Sequence, residues 1–182
     1  MLRVGDRFEN PRTGATLEIL RVPGGGDSAL EVRRLLRPGT GRNRPHVHLD
    51  YVERFVVEQG VATALRGGST VTLGPGDELE IPAAGRHVNA HNAGQEDLVL
   101  RHSFEPAPDV ALAYAETLGH LMSDGRAGGR GEVPLVDTFA IAHATRSQTY
   151  VAGVPHALQR SVLFPIGALL ARLGGRELHL PS

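Results

Sequence analysis

Turn-forming residues divide the first 105 or so residues of the chain into short segments, and this division limits the possible folds more than any other feature. Between the turns lie runs rich in β-branched and alternating apolar residues, which are typical of short strands. The predicted strands cover residues 16–22, 29–36, 51–57, 61–65, 70–73, 78–81 and 97–104. Because so many short strands follow one another without helices between them, the sequence favours a mainly β domain, built as a sandwich or a barrel.

The pattern changes at residues 105–108, which read Glu-Pro-Ala-Pro. After this segment the spacing of apolar residues lengthens towards the helical repeat of about 3.6. We therefore divide the chain into a β domain over residues 1–106 and a helical extension over residues 107–182. We expect the extension to pack on the β domain or on a second copy of the chain, although a helix lying in a membrane interface is a less favoured alternative.

Three helices are predicted in the extension. They cover residues 109–121, 134–145 and 155–173. Asp109 is a favourable N-cap for the first helix, and Pro134 and Pro155 are residues that can start the other two. The glycine-rich segment 125–131 predicts a flexible linker between the first helix and the second.

The composition excludes several kinds of site and partner. The chain has no cysteine, so disulfides, thiolate metal sites and cysteine nucleophiles are excluded. Its 19 basic residues are all Arg and are scattered, and its net charge is −1, whereas a nucleic-acid-binding protein needs a basic stripe. The longest apolar stretch, residues 162–171, is too short for a membrane span of about 20 residues. We expect a cytoplasmic protein with a small-molecule ligand and no firm membrane association.

One group of side chains carries the chemistry of a metal site. His46 and His48 are two residues apart, so in a strand both imidazoles point to the same face. Glu53 follows five residues later, and His87 comes after the tight turn at residues 82–86. A His-x-His pair alone is more often structural than a metal site, so the hypothesis depends on the whole set. Three imidazoles and a carboxylate suit a divalent Fe, Mn, Zn, Ni, Cu or Co ion and leave coordination positions open.

Residues 41–60 resemble the first sequence motif of the cupin superfamily. In that motif a glycine precedes a His-x-His pair, a glutamate follows, and another glycine comes seven residues after the glutamate. Glu53 and Gly60 keep this last spacing, whereas Gly41 lies one residue nearer to His46 than the pattern expects. The departure alters the loop before the predicted ligands and leaves the ligands unchanged.

Residues 76–92 resemble the second cupin motif. A glycine opens the segment, Pro82 follows after five residues, and His87 lies five residues beyond the proline, as in the family pattern. Two positions depart from it. Gly85 is shifted by one residue, and His91 stands where the family usually has Asn.

The resemblance to small single-domain microbial cupins implies a double-stranded β-helix, the cupin or jelly-roll barrel, followed by a helical extension. It assigns one divalent transition metal ion to His46, His48, Glu53 and His87. It also implies a homodimer, since small cupins usually pair. Glu53 could act as a catalytic base as well as a ligand, as some cupin glutamates are thought to do.

Four further residues are candidates for the pocket or for support of the ligands. His102 on the last predicted strand could donate or accept a proton inside the barrel, although a solvated strand histidine is the more common case. His91 could orient a ligand, with an exposed loop position as the alternative. Arg66 and Arg101 could meet an anionic substrate, although a surface role is more common for both.

The sequence supports one leading function and two alternatives. The leading hypothesis is a metal-dependent small-molecule enzyme, an oxidoreductase of dioxygenase type. The first alternative is a non-catalytic metal-binding, ligand-binding or sensor cupin, against which stands the lack of a visible helix-turn-helix with a basic recognition face. The second is an isomerase acting on a sugar or a keto acid, which would need a cationic group over a phosphate or carboxylate. Fold alone does not decide among them.

Overall fold

The structure is a computed structural model that describes residues 1–127 and 132–180. Its strands lie mostly in the predicted β region, residues 1–106. They are β1 (Arg7–Glu9), β2 (Thr16–Arg21), β3 (Leu30–Leu36), β4 (His46–His48), β5 (Val52–Gln59), β6 (Ala62–Arg66), β7 (Ser69–Leu73), β8 (Glu78–Ile81), β9 (His87–His91), β10 (Leu98–Glu105) and β11 (Thr149–Val151). Seven of them agree closely with the strands predicted from turn residues and alternation, because a strand with one buried face needs that pattern.

These strands form two antiparallel sheets. The first sheet has the order β1-β2-β3-β10-β5-β8, and the second sheet has the order β11-β4-β9-β6-β7. Strands distant in sequence lie side by side, as β3 and β10 do over seven residue pairs. The predicted fold class is confirmed as a mainly β fold of two antiparallel sheets with helices after it.

The extension contributes a strand as well as helices. The three-residue strand β11 pairs with β4, and Tyr150 lies opposite Val47 in that pairing. So short a strand between two helical segments gives almost no periodic signal, which is why sequence patterns did not predict it. As a result, the chain after residue 107 is joined to the second sheet by backbone hydrogen bonds.

The helices of the extension begin and end near the predicted positions. They are α1 (Asp109–Ser123), α2 (Leu135–Ala144), α3 (His156–Leu158) and α4 (Phe164–Leu173), with a π-helical turn at Gln159–Leu163 between the last two. Pro165 lacks the N–H that would bond four residues back, and this explains why the hydrogen-bonding pattern changes just before α4. Within residues 1–127 and 132–180, no helix is long and apolar enough to cross a membrane.

The start of α1 differs from the prediction by one residue. The N-cap of α1 is Pro108 and not Asp109, which is the first helical residue and makes no side-chain capping bond. Its carboxylate still lies in the first turn, where a negative charge favours the helix dipole. The predicted linker at 125–131 falls partly outside the described residues, since the structure describes it only as far as Ala127.

One face of the first sheet carries most of the core. Part of this face packs against the second sheet, around the fully buried Phe55 and Ile81. Another part, formed by β2 and β3, packs against α1, whose Gly119 lies so close to β1 that a Cβ there would be 2.6 Å from Phe8. The helical extension therefore covers the portion of the first sheet that the second sheet leaves uncovered.

Candidate metal centre

The four predicted ligands come from both sheets. His46 and His48 lie on β4 and His87 on β9, where His46 and His87 are register partners, so the second sheet supplies all three imidazoles. Glu53 lies on β5 of the first sheet, opposite Ile81 on β8. His48, Glu53 and His87 are almost completely buried, and His46 is partly exposed.

The ligand atoms of these residues meet in one place. The Nε2 atom of His87 lies 2.8 Å from Oε2 of Glu53, and Nε2 of His48 lies 3.8 Å from the same oxygen. One ligand atom each from His46, Glu53 and His87 lie within 4.8 Å of one another. The His48 ring is 5.0 Å from that of His87, centroid to centroid, so the structure brings all four side chains together.

Backbone carbonyls orient two of the histidines. Nδ1 of His46 donates to the Arg44 carbonyl at 3.0 Å, and Nδ1 of His87 donates to the Gly85 carbonyl at 2.9 Å. A hydrogen bond at Nδ1 fixes the tautomer and leaves Nε2 as the atom that faces the cluster. Supporting bonds of this kind are usual for histidines that bind metals.

Three of the four predicted ligands, His46, His48 and Glu53, have the protonation states that a metal ion needs. Burial lowers the pKa of His46 to about 4 and also lowers the pKa of His48, so both are neutral near pH 7, as metal ligands must be. Burial opposes ionisation of Glu53, but the neighbouring His102 and His87 side chains hold its pKa well below the usual value. Burial likewise opposes protonation of His87, whereas the Glu53 carboxylate raises the pKa of that histidine above its ordinary value.

Unsatisfied atoms give an independent test of whether the cluster fits a metal ion. Among the residues that the structure describes, both ring nitrogens of His48 and Nε2 of His102 are buried without a hydrogen-bond partner. A buried polar atom without a partner costs about 1–3 kcal/mol. An ion held by Nε2 of His48 would offset that penalty, so the donor set and its unsatisfied atoms both fit a divalent transition metal.

Two further ring-bearing residues, His102 and Tyr51, contact the predicted ligands. His102, only 4% exposed, lies on β10 with Nε2 3.5 Å from Oε1 of Glu53, and its ring stacks on Phe55. Tyr51 stacks on His48 with ring centroids 4.1 Å apart, and its hydroxyl is 3.0 Å from Oγ1 of Thr149 on β11. Sequence analysis did not single out Tyr51, although its position two residues before Glu53 places it on the same strand face.

The other predicted pocket residues lie elsewhere. His91 is buried and donates from Nδ1 to the Asn89 carbonyl at 2.9 Å. Arg66 is exposed at the end of β6. Arg101 is on the outer face of the first sheet, where it forms ion pairs with Glu31 and Glu58. None of these three residues lines the cavity that opens beside the cluster.

A cavity of about 420 Å³ opens beside the cluster. His46, Glu53 and His102 form part of its lining, and the first sheet contributes apolar residues such as Val32. The opposite wall comes from the extension, including Leu118 of α1 and residues of α2 and β11. The extension is therefore a wall of the cavity that adjoins the candidate metal centre.

Sequence analysis also missed a second group of potential ligands. Glu116 and His120, one turn apart on α1, meet His179 near the end of the described chain, with the two imidazole rings stacked at 3.9 Å. The Glu116 carboxylate already forms an ion pair with the amino group of Met1. This group is outside the cavity, and its carboxylate charge is balanced without a metal.

The sequence of the central region matches one family model. Residues 32–104 match the model of the cupin domain. The chain contains a cupin domain. The matched region runs from β3 to β10 and includes all four predicted ligands, whereas β1, β2 and the helical extension lie outside it. The resemblance inferred from the two motifs is thereby confirmed.

Solved cupin structures are similar to about half of the chain. The cupin domain of an XRE family transcriptional regulator from Enterobacter cloacae is 18% identical, over 50% of this chain and 94% of that one, with a TM-score of 0.43. KdgF from Halomonas sp. is 20% identical, over 56% and 87%, with a TM-score of 0.45. A predicted oxalate decarboxylase from Thermotoga maritima is 22% identical, over 57% and 96%, with a TM-score of 0.43. No curated protein matches the chain in sequence.

Proposed function

We propose that the chain binds one divalent transition metal ion through His46, His48, Glu53 and His87 and acts on a small molecule as an oxidoreductase of dioxygenase type. The main support is that ligand atoms of His46, Glu53 and His87 lie within 4.8 Å of one another, with Nε2 of His48 3.8 Å from Glu53, beside a cavity large enough for a small organic ligand. Three imidazoles and one carboxylate suit Fe, Mn, Zn, Ni, Cu or Co, and they leave positions for a substrate.

A metal ion in this place would supply a Lewis acid for a chelating substrate and, as iron or manganese, redox chemistry with O₂. Glu53 is the proposed base, because its Oε1 faces His102 and its Oε2 faces His87. A proton that Glu53 takes from the substrate can then pass to His102, whose Nε2 has no other partner within the described part of the chain. The apolar walls of the cavity would exclude water from this transfer.

An isomerase acting on a keto acid is the second candidate function. The observation that favours it is Arg34, which lines the cavity and provides the cationic group that such a substrate needs. The two candidates differ in their need for O₂. Turnover that continues unchanged under anaerobic conditions would favour the isomerase, and turnover that consumes O₂ would favour the oxidoreductase.

The metal site can be tested by elemental analysis of protein purified without added metal. We expect about one transition metal ion per chain in the wild type. His48→Ala should lose most of this metal, whereas His143→Ala, which changes an exposed histidine of α2, should keep it. Metal-free wild type after growth in metal-replete medium, or full retention by His48→Ala, would contradict the proposed site.

The catalytic part of the proposal needs a separate experiment. Iron-loaded protein should develop a new visible absorption band with 4-nitrocatechol under anaerobic conditions, because a bidentate ligand can occupy open positions on the ion. The band should be absent from His48→Ala. Loaded protein that gives no spectral change with any chelating catechol or enol would contradict an open, substrate-binding metal centre.

We also propose that the chain forms a homodimer. The helical segment ending in α4 exposes an apolar row at helical spacing, formed by Val162, Ile166, Leu169 and Leu173, with Leu173 75% exposed. In a dimer with two-fold symmetry, this apolar row on one chain can pack against the same row on the other chain. Light scattering should give twice the chain mass, and Leu169→Arg should give the monomer mass. A monodisperse wild-type monomer would contradict this proposal.

A further inference from the structure

Arg34 lies where a charged residue is rarely found. On β3 the buried residues Leu30, Val32 and Leu36 alternate with outward-facing ones, and Arg34 shares the face of the buried residues. Its register partners are Leu17 on β2 and Leu100 on β10, both almost completely buried. The guanidinium therefore projects from the inner face of the first sheet into the cavity.

The neighbouring arginine shows how unusual Arg34 is. Arg33 points to the outer face and forms ion pairs with Glu18 and Glu58 at 3.2 and 2.9 Å. For Arg34, by contrast, no side-chain hydrogen bond or ion pair is found among residues 1–127 and 132–180, and the residue is half-buried in the cavity lining. Burial lowers the pKa of Arg34, and the nearby Tyr114 on α1 raises it. Because arginine stays protonated in proteins, this charge is left without an anionic partner among the residues that the structure describes.

The charges around the cavity favour an anion of low charge. Arg42 and Arg44 also line it, and both are exposed, so they lie where the cavity meets solvent and can attract anions towards it. Two carboxylates, Glu53 and Glu132, line it as well, and Glu53 is engaged with the histidine cluster. With Arg34 as the charge on the inner sheet face and mainly apolar walls around it, the cavity suits a single negative charge better than a phosphate dianion.

The position of Arg34 relates it directly to the candidate metal centre. Its register partner Leu100 is two residues from His102 on the same face of β10, so Arg34 and His102 are diagonal neighbours, a relation that typically separates two residues by about 7–8 Å. Nε2 of His102 is in turn 3.5 Å from Glu53. A short molecule can therefore contact Arg34 with one end and the ligand cluster with the other.

We propose that Arg34 binds the carboxylate of a small, otherwise apolar molecule, and that this molecule lies in the cavity between the first sheet and the helical extension. A guanidinium presents a planar pair of donors that matches a carboxylate in a bidentate arrangement. The identity of the bound carboxylate as a substrate rests on the proposed function. The anion site at Arg34 depends only on the geometry of the cavity.

Calorimetric titration of metal-free protein with hexanoate tests the anion site without any metal contribution. We expect wild type to bind hexanoate, and Arg34→Met to bind it at least tenfold more weakly. Arg66→Met, which changes an exposed arginine outside the cavity, should bind hexanoate like the wild type. The neutral analogue hexanamide should bind weakly to all three proteins. Equal hexanoate binding by wild type and Arg34→Met, or none by the wild type, would overturn the proposal.

The stability of the same variant gives a second, independent result. Removing a charge that has no partner within the described part of the chain should raise the unfolding temperature of Arg34→Met above that of the wild type when hexanoate is absent. Hexanoate should raise the unfolding temperature of the wild type and leave that of Arg34→Met unchanged. A lower unfolding temperature for Arg34→Met without ligand would show that Arg34 has a structural partner, and it would overturn the proposed role.

Metal analysis of these proteins separates the two proposals. Arg34→Met should retain the metal content of the wild type, because Arg34 is not a ligand. Hexanoate binding that depends on Arg34 in a protein without a metal site would contradict the proposed function and support the anion site. A protein that binds metal but binds hexanoate independently of Arg34 would support the proposed metal site and contradict the anion site.

Discussion

The cupin domain and the helical extension contribute to the same cavity in different ways. The cupin domain supplies every predicted metal ligand from rigid strands, with bond partners fixed by sheet register. The extension supplies mainly apolar side chains from helices, together with Tyr114 beside Arg34. The difference suggests a division of roles, in which the strands determine the chemistry and the extension determines which molecule fits.

The largest expected effect belongs to the cupin domain. Glu53→Gln should lower metal affinity at least about 100-fold, because it removes the anionic ligand and leaves an amide among three buried imidazoles. Competition with a chromophoric chelator would measure this change. Glu80→Gln, which alters an exposed residue of β8 paired with Arg54, is the matched control and should keep its affinity. Similar affinities for both variants would show that the carboxylate is not a ligand.

The strands and ligands could be predicted from the sequence because both depend on local spacing. A His-x-His pair on a strand projects to one face whatever surrounds it, and the glycine and proline turns fix where each strand ends. The cavity wall could not be predicted in this way. Contacts between α1 and β3 join residues about 80 positions apart, and no short pattern encodes them.

Arg34 lies between the ligands, which the sequence predicts, and the cavity wall, which it does not predict. The segment Leu30–Leu36 reads Leu-Glu-Val-Arg-Arg-Leu-Leu, and its alternation places Arg34 on the buried side once the strand is assigned. Sequence analysis instead pointed to Arg66 and Arg101, which lie outside the cavity. A charge on the apolar face of a predicted strand was the signal that could have found Arg34.

In the extension, Gln159→Ala should affect stability and ligand binding without removing the metal. The Gln159 side chain is fully buried, accepts from the Val151 N–H and donates to the Val151 and Val154 carbonyls, all at 2.9 Å. Loss of these bonds leaves buried backbone groups without partners, so the free energy of unfolding should fall by about 2–4 kcal/mol.

Urea unfolding, metal analysis and hexanoate titration of this variant would together test the division of roles. The exposed Gln95→Ala is its control and should behave like the wild type in all three measurements. If Gln159→Ala lost its metal as completely as Glu53→Gln, the extension would be shown to maintain the ligand cluster itself.

Acid should destabilise the metal-free protein through the cupin domain. The pKa values of His46, His48 and His102 are lowered by burial, so between about pH 6.5 and pH 4 the unfolded chain binds protons that the folded chain does not. Stability must then fall as the pH falls, by up to about 1.4 kcal/mol per pH unit for each net proton. The raised pKa of His87 acts in the opposite direction and offsets part of this loss.

Urea unfolding of chelator-treated protein at pH 7, 6 and 5 would measure that loss. His46→Ala should flatten the profile, and His143→Ala should leave its slope unchanged. Equal stability at all three pH values would show that the buried imidazoles are protonated without penalty.

The smallest expected effect concerns the turn before His87. Ala84 adopts a left-handed conformation with φ 64°, and its N–H donates to the His48 carbonyl at 2.6 Å. A Cβ atom in this conformation costs about 1 kcal/mol, and substitution by glycine removes this cost. Part of the resulting gain in stability is lost because glycine has more conformational freedom in the unfolded chain. Ala84→Gly should therefore raise the free energy of unfolding by about 0.5–1 kcal/mol, measured by urea unfolding. Ala83→Gly, at a neighbouring position without positive φ, should lower it instead.

The pairing of β11 with β4 has a consequence for any shortened form of the protein. β4 carries His46 and His48, and β11 covers one of its two long edges. Without residues 149–151, β4 would become an edge strand with unpaired N–H and C=O groups, a template for pairing with strands of other molecules. A fragment limited to residues 32–104 would thus retain every proposed ligand, and we expect it to associate with other copies through this edge.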